Sequence, residues 1–319
     1  MKIIELLKEL KFGKPQAAGN MIVVPLTSKK ENKDVSEDMI FFVSRDDDYS
    51  NLTLRNDGDR PVIVPQGTSY ITDQKAQDRC VLKGTILNPR QAKTVDVSCI
   101  ESGQGGHIST GTDDYTFIAA AIRNSALNKS DTGSHSYEVL WEDVSEYKKK
   151  LNLDGRAHMT DFYKHFKKDL DEFVAQFETV ENQLGAIVFI NNEIVGIEVY
   201  PNYTAWRKVW RKLLRDSYGA DAISMIKKDK AAAYKPYMNI DNVDSIETME
   251  AEAHKVMVKV IEFVKAKTDP FVAEEITCSQ PEIIDDMEIS KFRGPTSFQG
   301  QVMTKSGELI YLTGVKALD

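Results

Sequence analysis

The chain has 319 residues, 41% of them hydrophobic and 28% charged, enough for a substantial core divided between two lobes. Its formal net charge of −8 argues against general nucleic-acid binding, because phosphate-backbone binders carry a basic excess that releases counterions. No window approaches the roughly 18 apolar residues of a membrane helix, and charges break up the opening "MKIIELLKELKFGKP" too often for a secretory signal, so a cytoplasmic protein away from membranes is expected.

That opening segment reads as a short amphipathic helix. Strand signals then crowd the first half, in "NMIVVPLTS", "MIFFVS", "LTLRN" and "RPVIVPQG", punctuated by the turn cluster "NDGDRP" at 56–61. Short strands punctuated in this way suggest an antiparallel sheet or sandwich.

The next stretch, "QDRCVLKGTILNPRQAKTVDVSCIESGQGG" (77–106), reads as a hairpin turning at "NPRQ" (88–91). With Leu87 facing Ala92, Leu82 falls opposite Val97, Lys83 opposite Asp96, Thr85 opposite Thr94 and Cys80 opposite Cys99. Carried outward, the register sets Asp78 against Glu101, with Gln77, Arg79, Ser102 and Gln104 nearby. Directly opposed carboxylates repel, unless a proton, a cation or a metal lies between them or the strands splay and each acid caps a loop.

From Gln104 to Tyr137 the composition turns to Gly, Ser, Thr, Asp and Asn, interrupted by "DDYTFIAAAIRNSAL" (113–127), a predicted helix with Thr112 or Asp113 near its N-cap. A loop at 128–136 leads past Trp141 to a second helix at 142–153. Phe162, Phe166, Leu170, Phe173, Val174 and Phe177 place an amphipathic helix over 159–177, opened by Thr160. Residues 185–200 form a hairpin around Asn191-Asn192, both strands apolar on both faces and therefore central in a sheet. The helix predicted over 204–226 sets Trp206, Val209, Trp210, Leu213 and Leu214 against a face of Arg207, Lys208, Arg211, Lys212 and Arg215. Such a face is most often simply solvated; contact with phosphate or RNA is the rarer use.

In the last part, Asp244 and Glu247 look like a capping-box start for a helix over 246–267, with Met249, Ala253, Val256, Val260 and Val264 as its core stripe and "KTDP" at its end. Strands follow, with a turn at Ser306-Gly307 and Lys305 facing Glu308. The expected fold is α+β. A core over 1–225 combines an antiparallel, sandwich-like β lobe (about 20–103) with helices and a central hairpin (about 112–225), and residues 226–319 add a small C-terminal α/β extension.

Cys80, Cys99 and Cys278 include no CxxC and are expected as free thiols in a reducing compartment. A nucleophilic role for Cys80 or Cys99 would need a cation or His107 beside it; a small apolar core residue is the commoner use of cysteine. "GQGG" (103–106) could wrap an anion with its amides but lacks the Lys-Ser/Thr of a phosphate loop. His107, His135, His158, His165 and His254 form neither HxH nor HExxH, and no metal is assigned.

The succession "VIVPQGTSYITDQKAQDR", "VDVSCIES", "VLWEDVSEYKKKLNL" and "LGAIVFINNEIVGIEVYPNYTAWRKVWRKLLRDSYGADAI" resembles the ARPP family, the ARG and rhodanese-phosphatase-superfamily-associated proteins, over roughly 20–225. That resemblance implies bacterial, archaeal or phage origin, association with ADP-ribosylglycohydrolases and phosphatase domains, and a role in ADP-ribose or nucleotide metabolism. The family's Gln-Asn/Asp-Arg motif corresponds to Gln77, Asp78 and Arg79, and its Val-x-Cys-x-Glu motif to Val97, Cys99 and Glu101; an aromatic expected soon after the Glu is replaced by "GQGGHIS". Arg79 is then an anion or phosphate ligand, and the carboxylates are hydroxyl acceptors or metal ligands. Arg123 and Trp141 are further ligand-binding candidates, Trp141 because an indole can stack on a base. The expected function is binding, or hydrolysis, of an ADP-ribose-like or other NAD-derived nucleotide at the open end of the 77–101 hairpin. The alternative is a non-catalytic interaction or sequestering protein, such as a phage-encoded inhibitor acting through partner or oligomer surfaces. No catalytic residue or cofactor follows from the sequence, and a metal-dependent hydrolase would need a third ligand that it does not name.

Overall fold

A computed structural model of the chain describes residues 1–38, 42–43, 49–72, 77–103, 105–106, 114–130, 136–151, 153, 159–228, 243–294 and 296–317. In chain order the first part gives α1 (Ile3–Leu6), β1 (Lys11–Phe12), β2 (Gln16–Ala18), β3 (Met21–Thr27), β4 (Phe42–Val43), β5 (Asn51–Arg55), β6 (Val62–Val64), β7 (Thr68–Tyr70), β8 (Arg79–Val81), β9 (Thr85–Leu87), β10 (Ala92–Cys99) and β11 (Tyr115–Phe117). Helices follow: α2 (Ala120–Lys129), α3 (Trp141–Lys150), α4 (Met159–His165) and α5 (Lys167–Val174). Next come β12 (Gln183–Ile190), β13 (Glu193–Val199), α6 (Tyr203–Lys212), a π-helical segment (Leu213–Gly219) and α7 (Ala220–Lys228). The chain closes with α8 (Ile246–Val272), β14 (Thr277–Cys278), β15 (Glu282–Ile284), β16 (Met287–Arg293), β17 (Phe298–Lys305) and β18 (Glu308–Lys316).

This is an α+β fold with a strand-rich N-terminal part. The larger sheet runs β1-β3-β12-β13-β18-β17-β16-β14, with β2 also on β3 and β15 also on β16; the smaller runs β11-β7-β8-β10-β5-β4, and β6 pairs with β9. β13 lies between β12 and β18, so the C-terminal strands continue the sheet begun by β3 across the boundary expected near residue 225.

Apolar residues on both faces put β12 at the centre, because each face must be covered. One face packs Ile22, Val24 and Phe189 against Val260 and Val264 of α8, and the other packs Val23 and Val188 against Trp206, Val209 and Leu213. Asn191 and Asn192 turn the hairpin with φ of 47° and 71°, the left-handed pair that a two-residue turn requires. Ser306 and Gly307 do the same, with φ of 51° and 77°, and Lys305 pairs with Glu308 as expected.

Several expected elements are corrected. Residues 77–106 do not form one continuous hairpin: β8 pairs with β10, but β9 leaves to pair with β6, and the first part of β10 pairs with β5. Gly84 makes the departure possible. A Cβ there would stand 2.9 Å from Val64 O, and the Gly84 N–H donates to Gln301 Oε1 at 2.6 Å instead of to a neighbouring strand. Thr94 therefore faces Thr53 rather than Thr85. The remaining β8–β10 pairing is one residue off the expected register, with Cys99 opposite Arg79 and Ser98 opposite Cys80, and such a slip exchanges the two faces.

The helix expected over 113–127 begins only at Ala120, after β11; Thr112 and Asp113 lie outside the described residues. The 159–177 stretch divides into α4 and α5, and 204–226 into α6, the π segment and α7. Ser245 caps α8 by exchanging bonds with Thr248, where Asp244 and Glu247 were expected to mark its start. α8 also runs past its expected end through Pro270, since Phe271 and Val272 bury against the sheet.

Gly196 of β13 gives a direct test of the packing between the larger sheet and the π segment. A Cβ there would lie 2.1 Å from Tyr218 Oη, which is held in place by its 2.6 Å bond to Glu198. Gly196→Ala is expected to lower unfolding free energy by about 2–3 kcal/mol in urea titration, the usual scale of overpacking in a core.

Candidate functional site

The two motif segments do meet, at the outer end of β8 and β10, and all four residues expected there are buried. β8 lies between β7 and β10, with Tyr70 and Cys99 as the neighbours of Arg79. Arg79 donates from Nη1 to Gln77 O at 2.7 Å and to Gln77 Oε1 at 3.2 Å, and its guanidinium carbon lies 5.0 Å from the centre of the Tyr49 ring. The Cys99 thiol donates to the same Gln77 Oε1 and, at 3.7 Å, to Tyr49 O. One amide oxygen thus serves both a guanidinium and a thiol.

The expected apposition of Asp78 and Glu101 is replaced by two separate arrangements. In the observed register the Asp78 carbonyl accepts from Ile100 N at 3.1 Å, and its carboxylate accepts from Thr72 N at 2.9 Å and Thr72 Oγ1 at 3.1 Å. Glu101 pairs with Lys148 Nζ at 2.8 Å and accepts from Met159 N, the first amide of α4. Glu101 thereby takes the capping role expected of Thr160, and Lys148 supplies the cation that a buried carboxylate needs. Lys148 reads in sequence as one of three exposed lysines in "YKKK"; the signal that could have found it is its place four residues after Val144 and three before Leu151, on the buried face of α3.

Two aromatic residues join this patch that the sequence reading passed over. Tyr49 and Tyr137 lie 5.4 Å apart, and Tyr137 meets Trp141 edge to face at 5.5 Å, so a half-buried run of rings leads from Arg79 to the start of α3. Two bonds to the Tyr137 carbonyl hold it down: Tyr137 O accepts from Cys99 N at 2.8 Å and from the Ser98 hydroxyl at 2.9 Å. Trp141 is therefore brought to the 77–101 patch as a candidate.

Arg123 belongs to another place. It is fully buried, pairs with Glu198 Oε1 at 2.8 Å, and donates to Ser217 Oγ at 3.3 Å, to Gln66 Oε1 at 3.2 Å and to Thr313 Oγ1. Burial opposes its charge, but Glu198 and the surrounding tyrosines hold its pKa above the ordinary value. Cys80 faces the helices, where burial pushes its thiol up to about 12, partly offset by a bond from Ser69 and by Arg123; that is the environment of an inert core thiol. His107 and Gln104 lie outside the described residues. Among the described residues, no three His, Cys, Asp or Glu side chains are grouped so as to hold a metal ion. Two open clefts, of about 330 and 540 Å³, are lined by other segments.

These features define a class: an α+β protein of antiparallel sheets, in which a Gln-Asp-Arg segment and a Val-x-Cys-x-Glu segment are buried side by side where two strands of the six-stranded sheet end. The chain belongs to the ARPP-1 family, the ARG and Rhodanese-Phosphatase-superfamily-associated Protein domain, whose pattern matches residues 9–287 and so reaches into the C-terminal strands. No curated protein and no solved structure matches the chain. No helix among the described residues is long and apolar enough to cross a membrane.

The helices carrying Arg123 and Trp141 are tied together by Asp221 of α7, which accepts from Ala121 N at 3.0 Å and lies beside Tyr147. Burial pushes its carboxyl up to about 7, against the pull of Tyr147, the Ala120 and Ala121 amides and Arg123; Tyr163 is the other titratable group nearby. An acid with a pKa of about 4 when unfolded and a higher one when folded is protonated only in the native state between those values. Its contribution to stability is present below about pH 4 and is lost, at about 1.4 kcal/mol per pH unit, as pH rises toward the folded value. Asp221→Asn should become steadily more stable relative to wild type from about pH 4 to 7 and level off above that, measured by urea unfolding across pH.

Proposed function

We propose that the end of β8 and β10 binds an anionic ligand that carries a ring, of the ADP-ribose-like or other NAD-derived nucleotide class. The observation that carries this reading is the run Arg79–Tyr49–Tyr137–Trp141, which puts a buried guanidinium and half-exposed aromatic faces in one place. Aromatic faces suit a base or nicotinamide ring, and a guanidinium suits a phosphate. Gln77 Oε1, bonded to both Arg79 and Cys99, is the acceptor that a ligand oxygen would displace.

The arrangement supports binding over hydrolysis by the Asp78–Glu101 pair, because each carboxylate is engaged on a different element, Asp78 by Thr72 and Glu101 by Lys148 and α4. The buried free thiols of Cys80 and Cys99 fit the reducing interior of a cell, bacterial or phage-infected. The second reading, an interaction protein without a small ligand, draws on the first turns of α8, where Ile246 is 71% and Met249 44% exposed.

Isothermal titration with ADP-ribose, NAD and AMP tests the first reading. Wild type should bind at least one of them, and Trp141→Ala should weaken that binding by about 10-fold or more, as loss of one stacked ring does, while retaining its circular dichroism spectrum. A folded wild type that binds none of the three would defeat the nucleotide reading and favour a protein partner.

A further inference from the structure

The basic face that runs along α6 into the π segment is divided by its partners. Lys208 pairs with Asp38 at 2.6 Å; Lys212 donates to Tyr115 O at 2.8 Å and faces Asp114 at 3.7 Å; Arg215 pairs with Asp216 at 2.5 Å and lies 3.7 Å from Asp171. Arg207 and Arg211 are both exposed, and among the described residues neither has an acidic partner; Arg207 rests over the Tyr203 ring at 5.5 Å. These two, and none of the other three, line the cleft of about 540 Å³ between α6 and the end of α5. Its remaining wall is Val174, Ala175, Phe177, Glu178, Thr179 and Trp210. The backbone of Glu178 is fixed by two 2.7 Å bonds to Gln16, so the wall opposite the arginines is tied to the larger sheet.

Like charges one helical turn apart cost a few tenths of a kcal/mol, so this pair is a small standing cost to α6. The lining holds two cations against Glu178 alone, in a chain whose net charge is −8. A guanidinium takes phosphate oxygens in bidentate fashion, and two of them one helical turn apart lie close enough to share one phosphate-bearing ligand. We infer that this cleft is a second binding site, for a phosphate-bearing small molecule, with Arg207 and Arg211 holding the phosphate and the Phe177–Trp210 side receiving the rest of the ligand. Its volume falls within the range of small-molecule sites. The inference does not rest on the 77–101 patch, which uses other residues on the other sheet.

The test is titration of the full chain with pyrophosphate at low salt, followed by calorimetry and by thermal unfolding, for wild type, Arg207→Gln/Arg211→Gln and, as control, Lys208→Gln. All three positions are exposed, so the variants should fold. Pyrophosphate should raise the wild-type and Lys208→Gln melting temperatures, and its affinity should fall at least about 10-fold in the double variant. Absence of pyrophosphate binding in wild type, binding that survives in the double variant, or an equal effect of sulfate at matched ionic strength would each overturn the site. Because the double variant keeps Arg79 and Trp141, its ADP-ribose titration reads the 77–101 patch separately.

Discussion

Arg123 and Glu198 meet 2.8 Å apart with both side chains fully buried, and much of the structure is arranged to make that pairing tolerable. Removing two charges from water is costly, and Coulomb attraction offsets the cost only when the remaining donors and acceptors are met. Here Tyr218 donates to the same Glu198 oxygen that faces Arg123, and Gln66, Ser217 and Thr313 accept from Arg123, so the guanidinium is well met while Glu198 Oε2 is buried without a hydrogen-bond partner among the described residues. Those groups come from β13, β18, the π segment and the turn before β7, and the guanidinium itself comes from α2. The pair therefore forms fully only when both sheets and the helical layer are in place together. Gly67 and Gly196 keep the space clear, since a Cβ at either would collide with Arg123 or Tyr218.

The π segment serves the same centre. One continuous α-helix over 204–226 would turn its residues at a uniform pitch, whereas the wider segment at Leu213–Gly219 brings Asp216, Ser217 and Tyr218 to bear on Thr116, Arg123 and Glu198. It also lets α6 and α7 keep separate tasks. α6 presents Trp206, Val209 and Trp210 to the larger sheet, and α7 turns Asp221 toward the start of α2.

What was legible in the sequence was local. Asn191-Asn192, Ser306-Gly307 and the alternating faces of α6 each specify their geometry within a few residues, and each is found as read. The nearness of 77–79 to 97–101 was legible too, because a short loop leaves two strand-forming runs few other places to go. What failed depends on distant residues. The departure of β9 turns on Gln301, 217 positions from Gly84. The start of α4 turns on Glu101, and that of α2 on Asp221. Of the candidate site, the motif residues and Trp141 were legible; Lys148 was hidden in a run of lysines, Tyr49 and Tyr137 carried no pattern, and the engagement of Arg123 with β13 and β18 could not be seen without the sheet order.

That sheet order has a consequence for how the chain is made. β13 is the middle of the larger sheet, yet one of its two neighbours, β18, lies more than a hundred residues downstream. A ribosome releases β3, β12 and β13 well before β18, and at about 5–20 residues per second the open edge of β13 persists for several seconds or more. During that interval Arg123 also lacks Thr313, and an unpaired apolar strand edge is the kind of surface that chaperones hold and that neighbouring nascent chains can join. Completion of the sheet therefore waits on the synthesis of β18, and the yield of native protein should be governed more by protection of that edge than by the speed at which any helix forms.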